Sequence, residues 1–197
     1  QSVAFRPEHV LWLGKQVAQF MPHAEFIPFS DVDLPIPHER LKTSWPSWWA
    51  KMEALSRLPN HDVLMLDIDV ALVNPWLGMS APSGKAYHPR VNAGHRPIYG
   101  GWQLSSPEFR HEVSTHFAKD PERHIEESRG CDQKYLIQYF KDSIIDLNHV
   151  RPDLCVSYAL QALPYGLWPQ TSFVLFHGLP RPWEVEDRHP WIQKLAA

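Results

Sequence analysis

The sequence predicts an α/β protein in which helices flank a mixed sheet. The chain has 197 residues, 44% of them hydrophobic and nine of them Trp, which is enough to form one domain with a substantial core. Segments with apolar residues at helical spacing alternate with short apolar runs typical of strands. No apolar stretch approaches the length of a membrane span. We therefore expect a single soluble domain over residues 1–197.

The elements are expected in the following order. Helices are predicted at 7–20, from Pro46 to about Leu58, from Pro107 after an N-cap at Ser106, and over 133–141, and strands at 25–29, 63–66 with an extension over 70–73, 98–104, 144–145, 154–158 and 172–177. The helix over 7–20, for example, is predicted by Val10, Leu13 and Val17 at helical spacing. Residues 30–45 and 78–97 are predicted to be mainly loop.

Charge and cysteine content narrow the class of protein. A net charge of −3 and a pI near 6.5 provide no basic surface, so nucleic acid is not an expected partner. Cys131 and Cys155 are too few for a disulfide framework or a zinc site. We interpret them as free thiols in a reducing compartment, which predicts a cytoplasmic protein.

The most informative segment is the apolar run 63–66 followed by Asp67-Ile68-Asp69. A short continuous apolar run is typical of a buried parallel strand, and its carboxyl end is where ligands of open α/β sheets bind. Residues two apart in a strand point the same way, so both carboxylates can face one divalent cation. The alternative is that they cap a nearby helix. A second such pair, Asp31 and Asp33, lies in a proline-rich loop and is interpreted as a turn.

A second candidate segment runs from Phe173 to Glu184. A strand leads to His177, Gly178 allows a close approach of the backbone to a ligand, and Arg181 offers planar donors for phosphate. Trp183 is suited to stacking or packing. A core strand followed by a proline-rich surface turn is the alternative.

Three further features carry possible chemistry. Asp132 and Gln133 follow Cys131 at a predicted helix start, where Asp132 is alternatively a cap. Lys51 lies among tryptophans on a predicted helix and is alternatively a lysine whose stem covers apolar surface. Gly100-Gly101 indicates a bulge or a close backbone approach. The Trp-rich segment 45–49 is expected to pack in the core, with a carbohydrate-stacking surface as the alternative.

The order of these motifs resembles the GT-A glycosyltransferases, and most closely the bacterial and phage-associated members related to family 8. The resemblance runs from about residue 5 to residue 184 and rests on WWAKME, VLMLDID, CDQ and FHGLPRPWE. The last segment matches the pattern H-G-x-x-[KR]-P-W-E and is the most specific part. The resemblance implies a GT-A (Rossmann-like nucleotide-diphospho-sugar transferase) fold whose first strand is missing or truncated before Gln1.

The resemblance also implies a metal site. Asp67 and Asp69 match the D-x-D motif that holds a divalent cation on the donor's diphosphate, and His177 matches a distant histidine ligand to the same ion. Two carboxylates and an imidazole suit Mn²⁺, with Mg²⁺ as the alternative.

The remaining site residues follow from the same resemblance. Lys51, Gly101, Gly178, Arg181 and Trp183 are expected to contact the donor, with Arg181 on the diphosphate where the family usually has Lys. Asp132 and Gln133 match the catalytic pair beside the sugar carbon under attack. The implied reaction moves a sugar from a nucleotide-diphosphate sugar to a glycan, a lipid-linked sugar or a protein, with retention of anomeric configuration.

Three positions depart from the family pattern, and two other functions compete with it. Besides the absent first strand, Cys131 stands where a Gly is usual, and 99–102 reads Tyr-Gly-Gly-Trp in place of an Asn-Ser-Gly-type strand. A GT-A-like module that binds a nucleotide sugar without turnover is the first alternative. A haloacid-dehalogenase-type phosphatase with Asp67 as nucleophile is the second.

Overall fold

The computed structural model describes residues 5–90 and 98–194. The strands are β1 (Phe29–Ser30), β2 (Glu39–Arg40), β3 (Val63–Leu66), β4 (Val70–Leu72), β5 (Ala86–His88), β6 (Trp102–Ser105), β7 (Ile144–Asp146), β8 (Cys155–Ser157) and β9 (Phe173–Leu175). The helices are α1 (Pro7–Phe20), α2 (Ala50–Arg57), α3 (Pro107–Ala118), α4 (Pro121–Glu127), α5 (Asp132–Phe140), α6 (Leu147–Val150) and α7 (Leu163–Tyr165). Short 3₁₀ turns precede α2, follow α5 and cover Pro182–Glu184, and a π-helical turn precedes α7.

The described residues form two compact units. The first comprises 5–40, 67–78 and 151–194, and the second comprises 41–66, 79–90 and 98–150. The prediction that the chain is one domain stays a prediction.

The first unit contains α1 and a three-stranded sheet in the order β4-β9-β8. Strand β9 pairs antiparallel with β4 and parallel with β8, and all three strands are buried. Helix α1 packs on β4 through Gln16, whose Oε1 accepts the Leu72 N–H at 2.8 Å while its Nε2 donates to the Trp12 carbonyl at 3.1 Å. A buried polar side chain thus bonds an N–H of the edge strand that would otherwise lack a partner.

The second unit contains a four-stranded sheet in the order β3-β6-β5-β7, with α2, α3 and α5 in its core. Trp49 is buried against Phe117 and Tyr135, and Trp45 packs edge-on against Phe117. Both observations agree with core packing of the Trp-rich segment, although Trp48 is half-exposed.

Helix α2, which carries Lys51, is anchored by the buried carboxylate of Glu53. Glu53 accepts hydrogen bonds from the backbone N–H groups of Lys42 and Thr43, from the Thr43 hydroxyl and from Arg57. Burial alone would raise the pKa of Glu53, but these bonds outweigh it and lower that pKa to about 2. The negative charge therefore persists on folding, and it fixes the loop that precedes α2.

The prediction of a buried parallel strand at 63–66 was wrong in direction and in burial. Strand β3 pairs antiparallel with β6, in a register that places Leu64 opposite Leu104, and it lies at one end of the strand order with all four residues only half-buried. A continuous apolar run specifies neither the direction nor the identity of a strand's partner, because both depend on residues distant in sequence.

All four predicted helices are present. Helix α1 has the predicted bounds, and α3 begins at Pro107 after Ser106, whose hydroxyl accepts the Phe109 N–H at 3.3 Å. Helix α4 was not predicted, although Asp120-Pro121 is a cap-and-proline start of the same kind. Within the described ranges, no helix combines the length and hydropathy that a membrane span requires. The expected loop over 78–97 falls in part on 91–97, outside the described residues.

Candidate active site

The pairing of β4 with β9 brings the two ends of the predicted metal site together. Val70 lies opposite Leu175 in the antiparallel register. Residues just before Val70 and just after Leu175 therefore lie at the same end of the strand pair. Asp69 belongs to the first group and His177 to the second, so the fold joins the D-x-D segment to the H-G-x-x-R segment.

Asp67 and Asp69 do not occupy a strand, contrary to the sequence-based expectation. Ile68 and Asp69 form a turn between β3 and β4, closed by a hydrogen bond from the Val70 N–H to the Asp67 carbonyl at 3.1 Å. The parity argument, in which residues two apart on a strand share a face, does not apply to a turn. Asp69 is buried and Asp67 is half-buried.

Asp69 forms an ion pair with Arg181. The guanidinium contacts the carboxylate directly. The Arg181 side chain is 22% exposed and the Asp69 side chain is 6% exposed. The same guanidinium lies over the ring of Phe5, 5.1 Å from its centroid. The Arg181 backbone N–H donates to the Glu184 carboxylate at 2.6 Å, which holds the start of the following 3₁₀ turn. We call Asp67, Asp69, His177 and Arg181 the Asp69 site.

Trp183 packs against helix α1. Its ring stacks on His9 with 3.7 Å between centroids and 7° between planes, and it meets Trp12 and Phe5 edge-on. Burial, followed by the charge of Arg6, lowers the pKa of His9, so its ring is neutral in this stack. Phe5 and His9 were not predicted as site residues, because their partners lie far away in sequence.

The turn after His177 requires glycine for its backbone geometry. Gly178 has φ of +79°, and a Cβ built there would meet nothing within 4 Å. Its role in the fold is therefore conformational, and a contact with the donor stays a prediction.

The side chains of the Asp69 site include carboxylate and imidazole groups, which are the chemical types that bind divalent cations. No cluster of three or more His, Cys, Asp and Glu side chains in the described parts of the chain is arranged to hold a metal ion. Asp69 is, however, a buried carboxylate that requires a positive partner, and a guanidinium occupies that role. Asp67 and His177 would supply one carboxylate and one imidazole in addition, and their ligation stays a prediction.

The second unit holds another predicted group. The Lys51 ammonium lies 3.5 Å from the Asp132 carboxylate and donates to the Gly100 carbonyl at 2.8 Å. The Lys51 side chain is 15% exposed and the Asp132 side chain is 3% exposed. Asp132 is the first residue of α5, where its Oδ1 accepts the Gln133 N–H at 2.8 Å, so it contributes to the helix start as well as to the ion pair. We call Lys51, Gly100, Asp132 and Gln133 the Asp132 site.

Gln133 completes this group through Gly100. With its amide oriented to satisfy both ends, Gln133 donates to the Ile98 carbonyl at 3.0 Å and accepts the Gly100 N–H at 3.2 Å. A Cβ on Gly100 would lie 2.9 Å from the Gln133 side chain. The close approach expected of Gly100-Gly101 thus occurs at Gly100, whereas donor binding by Gly101 stays a prediction.

A buried histidine lies close enough to Lys51 to be affected by its charge. His88 is fully buried on β5, and its Nδ1 lies 3.2 Å from the Tyr99 carbonyl oxygen. Burial lowers the pKa of His88 to about 4 despite this bond, and the positive charge of Lys51 contributes further to the lowering. His88 is therefore neutral near pH 7, which limits the positive charge at the Asp132 site.

The arrangement of strands and helices has known counterparts. The structure of the galactosyltransferase LgtC in complex with donor and acceptor sugar analogues matches with a TM-score of 0.63, covering 90% of this chain and 85% of that one at 14% identity. The chain has the GT-A glycosyltransferase fold. At this level of identity the likeness shows the fold alone.

Two structures of the glycosyltransferase GlyE from Streptococcus pneumoniae TIGR4 are also similar. The apo form has a TM-score of 0.57 at 14% identity and the other structure 0.55 at 16% identity. The match to the apo form covers 89% of this chain and 52% of GlyE, and the match to the other structure covers 74% of this chain and 41% of GlyE. The chain therefore spans about half the length of GlyE. No family model and no curated protein sequence matches the chain. Membership of family 8 stays a prediction.

Proposed function

We propose that this protein is a metal-dependent glycosyltransferase that moves a sugar from a nucleotide-diphosphate sugar to an acceptor. The observation that carries the proposal is the ion pair of Asp69 with Arg181 in a GT-A fold, because it joins the D-x-D motif to the H-G-x-x-R motif. The acceptor class is a glycan, a lipid-linked sugar or a protein. Two free thiols fit a reducing compartment, and we propose the cytoplasm.

The Asp69 site is proposed to bind the diphosphate of the donor. Asp67, Asp69 and His177 would hold Mn²⁺ or Mg²⁺, and the ion when bound would offset negative charge on the diphosphate. Arg181 donates planar hydrogen bonds to phosphate oxygens and stabilises charge on the departing oxygen. Trp183 and Gly178 set the path of the loop that carries Arg181.

The Asp132 site is proposed to act on the sugar. Asp132 and Gln133 would support the positive charge that develops on the anomeric carbon, while Lys51 and Gly101 contact the donor. The lysine also offsets the negative charge of the Asp132 carboxylate, since a buried carboxylate is rarely found without a positive partner. We further propose family 8 chemistry, with retention of configuration.

The proposal is tested by release of nucleotide diphosphate from a panel of sugar nucleotides in the presence of Mn²⁺. Thermal stabilisation by UDP or by GDP with Mn²⁺ selects the base beforehand. The Asp67→Asn/Asp69→Asn variant is expected to lose at least about 100-fold in turnover, because the cation site loses both carboxylates.

The chain supplies its own matched control in Asp31 and Asp33. They repeat the D-x-D spacing in an exposed bend, where Asp33 pairs with Arg40 at 3.1 Å. Asp31→Asn/Asp33→Asn should retain full turnover. Equal activity of the two double variants would contradict the proposal. Donor binding without any release would favour the inactive module, and a phosphoenzyme trapped on Asp67 would favour the phosphatase.

A further inference from the structure

The contact between Arg181 and Asp69 has a consequence for the order in which ligands bind. Asp69 is a nearly inaccessible carboxylate, and Arg181 is the cation that it contacts. A carboxylate buried to this degree is stable as an anion only beside a positive charge. The guanidinium therefore occupies the electrostatic role that the proposed function gives to a divalent ion.

A guanidinium and a divalent cation cannot both be close to Asp69 at little cost. Even if the ion were bound by the other oxygen of the Asp69 carboxylate, the guanidinium and the ion would lie within a few ångströms of each other in a poorly solvated site, and their positive charges would repel. The repulsion is relieved when an anion lies between them, and a diphosphate is such an anion. Glu184 accepts the Arg181 backbone N–H, which fixes the main chain at this residue, while the guanidinium itself is held by Asp69 and lies over the Phe5 ring.

We propose that Arg181 is an exchangeable counter-ion that couples cation binding to diphosphate binding. It neutralises Asp69 when no divalent cation is bound, and it turns to the diphosphate when the cation takes the carboxylate. Cation and diphosphate then strengthen each other's binding by the same factor. This inference rests on the proposed function of the Asp69 site and specifies how that site discriminates against a cation or a diphosphate alone.

The first test measures Mn²⁺ binding by the free protein, from the electron paramagnetic resonance signal of unbound Mn²⁺. The Arg181→Gln variant should bind Mn²⁺ at least about tenfold more tightly than the wild type, because the competing cation is gone. Arg188→Gln is the matched control, since it removes the same charge from an exposed arginine of the same unit. The Asp69→Asn/Arg181→Gln variant should lose the gain.

The second test uses the wild-type protein and does not depend on the folding of a variant. Mn²⁺ and inorganic pyrophosphate together should raise the melting temperature by more than the sum of their separate effects. Additive shifts would overturn the inference, as would an Arg181→Gln affinity for Mn²⁺ equal to that of the wild type and of Arg188→Gln. Turnover of a sugar nucleotide that persists beside either result would leave the proposed function standing, so the two failures are distinguishable.

Discussion

Gly100 is the residue on which the Asp132 site converges. Its carbonyl oxygen accepts a hydrogen bond from the Lys51 ammonium, and its N–H donates one to the Gln133 side chain. The backbone of this one residue thus positions two candidate site residues. Backbone groups are well suited to this purpose because their positions are fixed by the chain and not by a rotamer. The absence of a side chain at residue 100 is what lets Gln133 come close enough.

Gly100→Ala is expected to displace Gln133. The added methyl would stand 2.9 Å from that side chain, which is closer than real contacts allow. We expect a loss of stability of about 1–3 kcal/mol, as for other overpacked sites, together with a reduced kcat for donor turnover. Urea unfolding and nucleotide release measure the two effects.

Gly14→Ala is the matched control for this variant. Its added methyl would also approach a side chain closely, the Phe26 ring at 3.0 Å, and Phe26 belongs to neither candidate site. Its kcat should equal that of the wild type. A Gly100→Ala protein with unchanged kcat would show that Gln133 does not need this position for turnover.

Helix α1 supports the segment that carries Arg181. Trp183 lies two residues beyond Arg181, and it is enclosed by His9, Trp12 and Phe5. The path of the loop is thus set by an element from the opposite end of the chain. An interaction of this kind depends on tertiary contacts, which explains why no local motif indicates it.

His9→Ala is expected to destabilise the protein by about 1–3 kcal/mol, since it removes one face of the aromatic stack and leaves a cavity. His9→Phe keeps a flat ring against Trp183 and loses only the hydrogen bond from the Arg6 N–H, so it should retain more stability. Urea unfolding followed by circular dichroism measures both, with the exposed His23→Ala as control. Equal losses for Ala and Phe would contradict a stacking role.

Local signals were sufficient for much of the element order. Pro7, Ser106-Pro107 and the apolar spacing of α3 and α5 fix helix starts and inward faces within a few residues of the chain. Local sequence signals did not predict which strands pair with each other. The apolar run of β3 is compatible with either direction, and only the register with β6 makes it antiparallel.

The candidate sites show the same difference between what local sequence predicts and what depends on tertiary contacts. Motif residues could be chosen because carboxylate, imidazole and guanidinium groups follow apolar runs, and the register of β4 with β9 brings Asp69 and His177 to one end. The turn at Asp67–Asp69, the pairing of Arg181 with Asp69 and the approach of Gly100 to Gln133 depend on backbone paths that spacing does not encode. Sequence patterns identify the chemistry of a site more readily than its contacts.

Titration of buried groups determines how the whole molecule responds to acid. Burial lowers the pKa values of His9, His88, His116 and His189, so their rings are neutral in the folded protein at a pH where the unfolded chain binds protons. These histidines cost no stability above about pH 6.5, and stability is lost as the pH falls from there towards the folded pKa values. Glu53 adds a separate loss below its usual pKa of 4.5, towards a folded pKa of about 2.

His88 should dominate the loss in the weakly acidic range. With a folded pKa of about 4 against 6.5 when unfolded, it accounts for about 2 kcal/mol of unfolding free energy between pH 7.5 and pH 5.0. Urea unfolding at the two pH values should show His88→Gln losing less stability on acidification than the wild type, because the glutamine does not titrate. His111→Gln removes an exposed histidine and should keep the wild-type pH dependence. The same pH dependence in all three proteins would mean that acid acts on this fold through the reversal of its net charge of −3, not through the buried ring of β5.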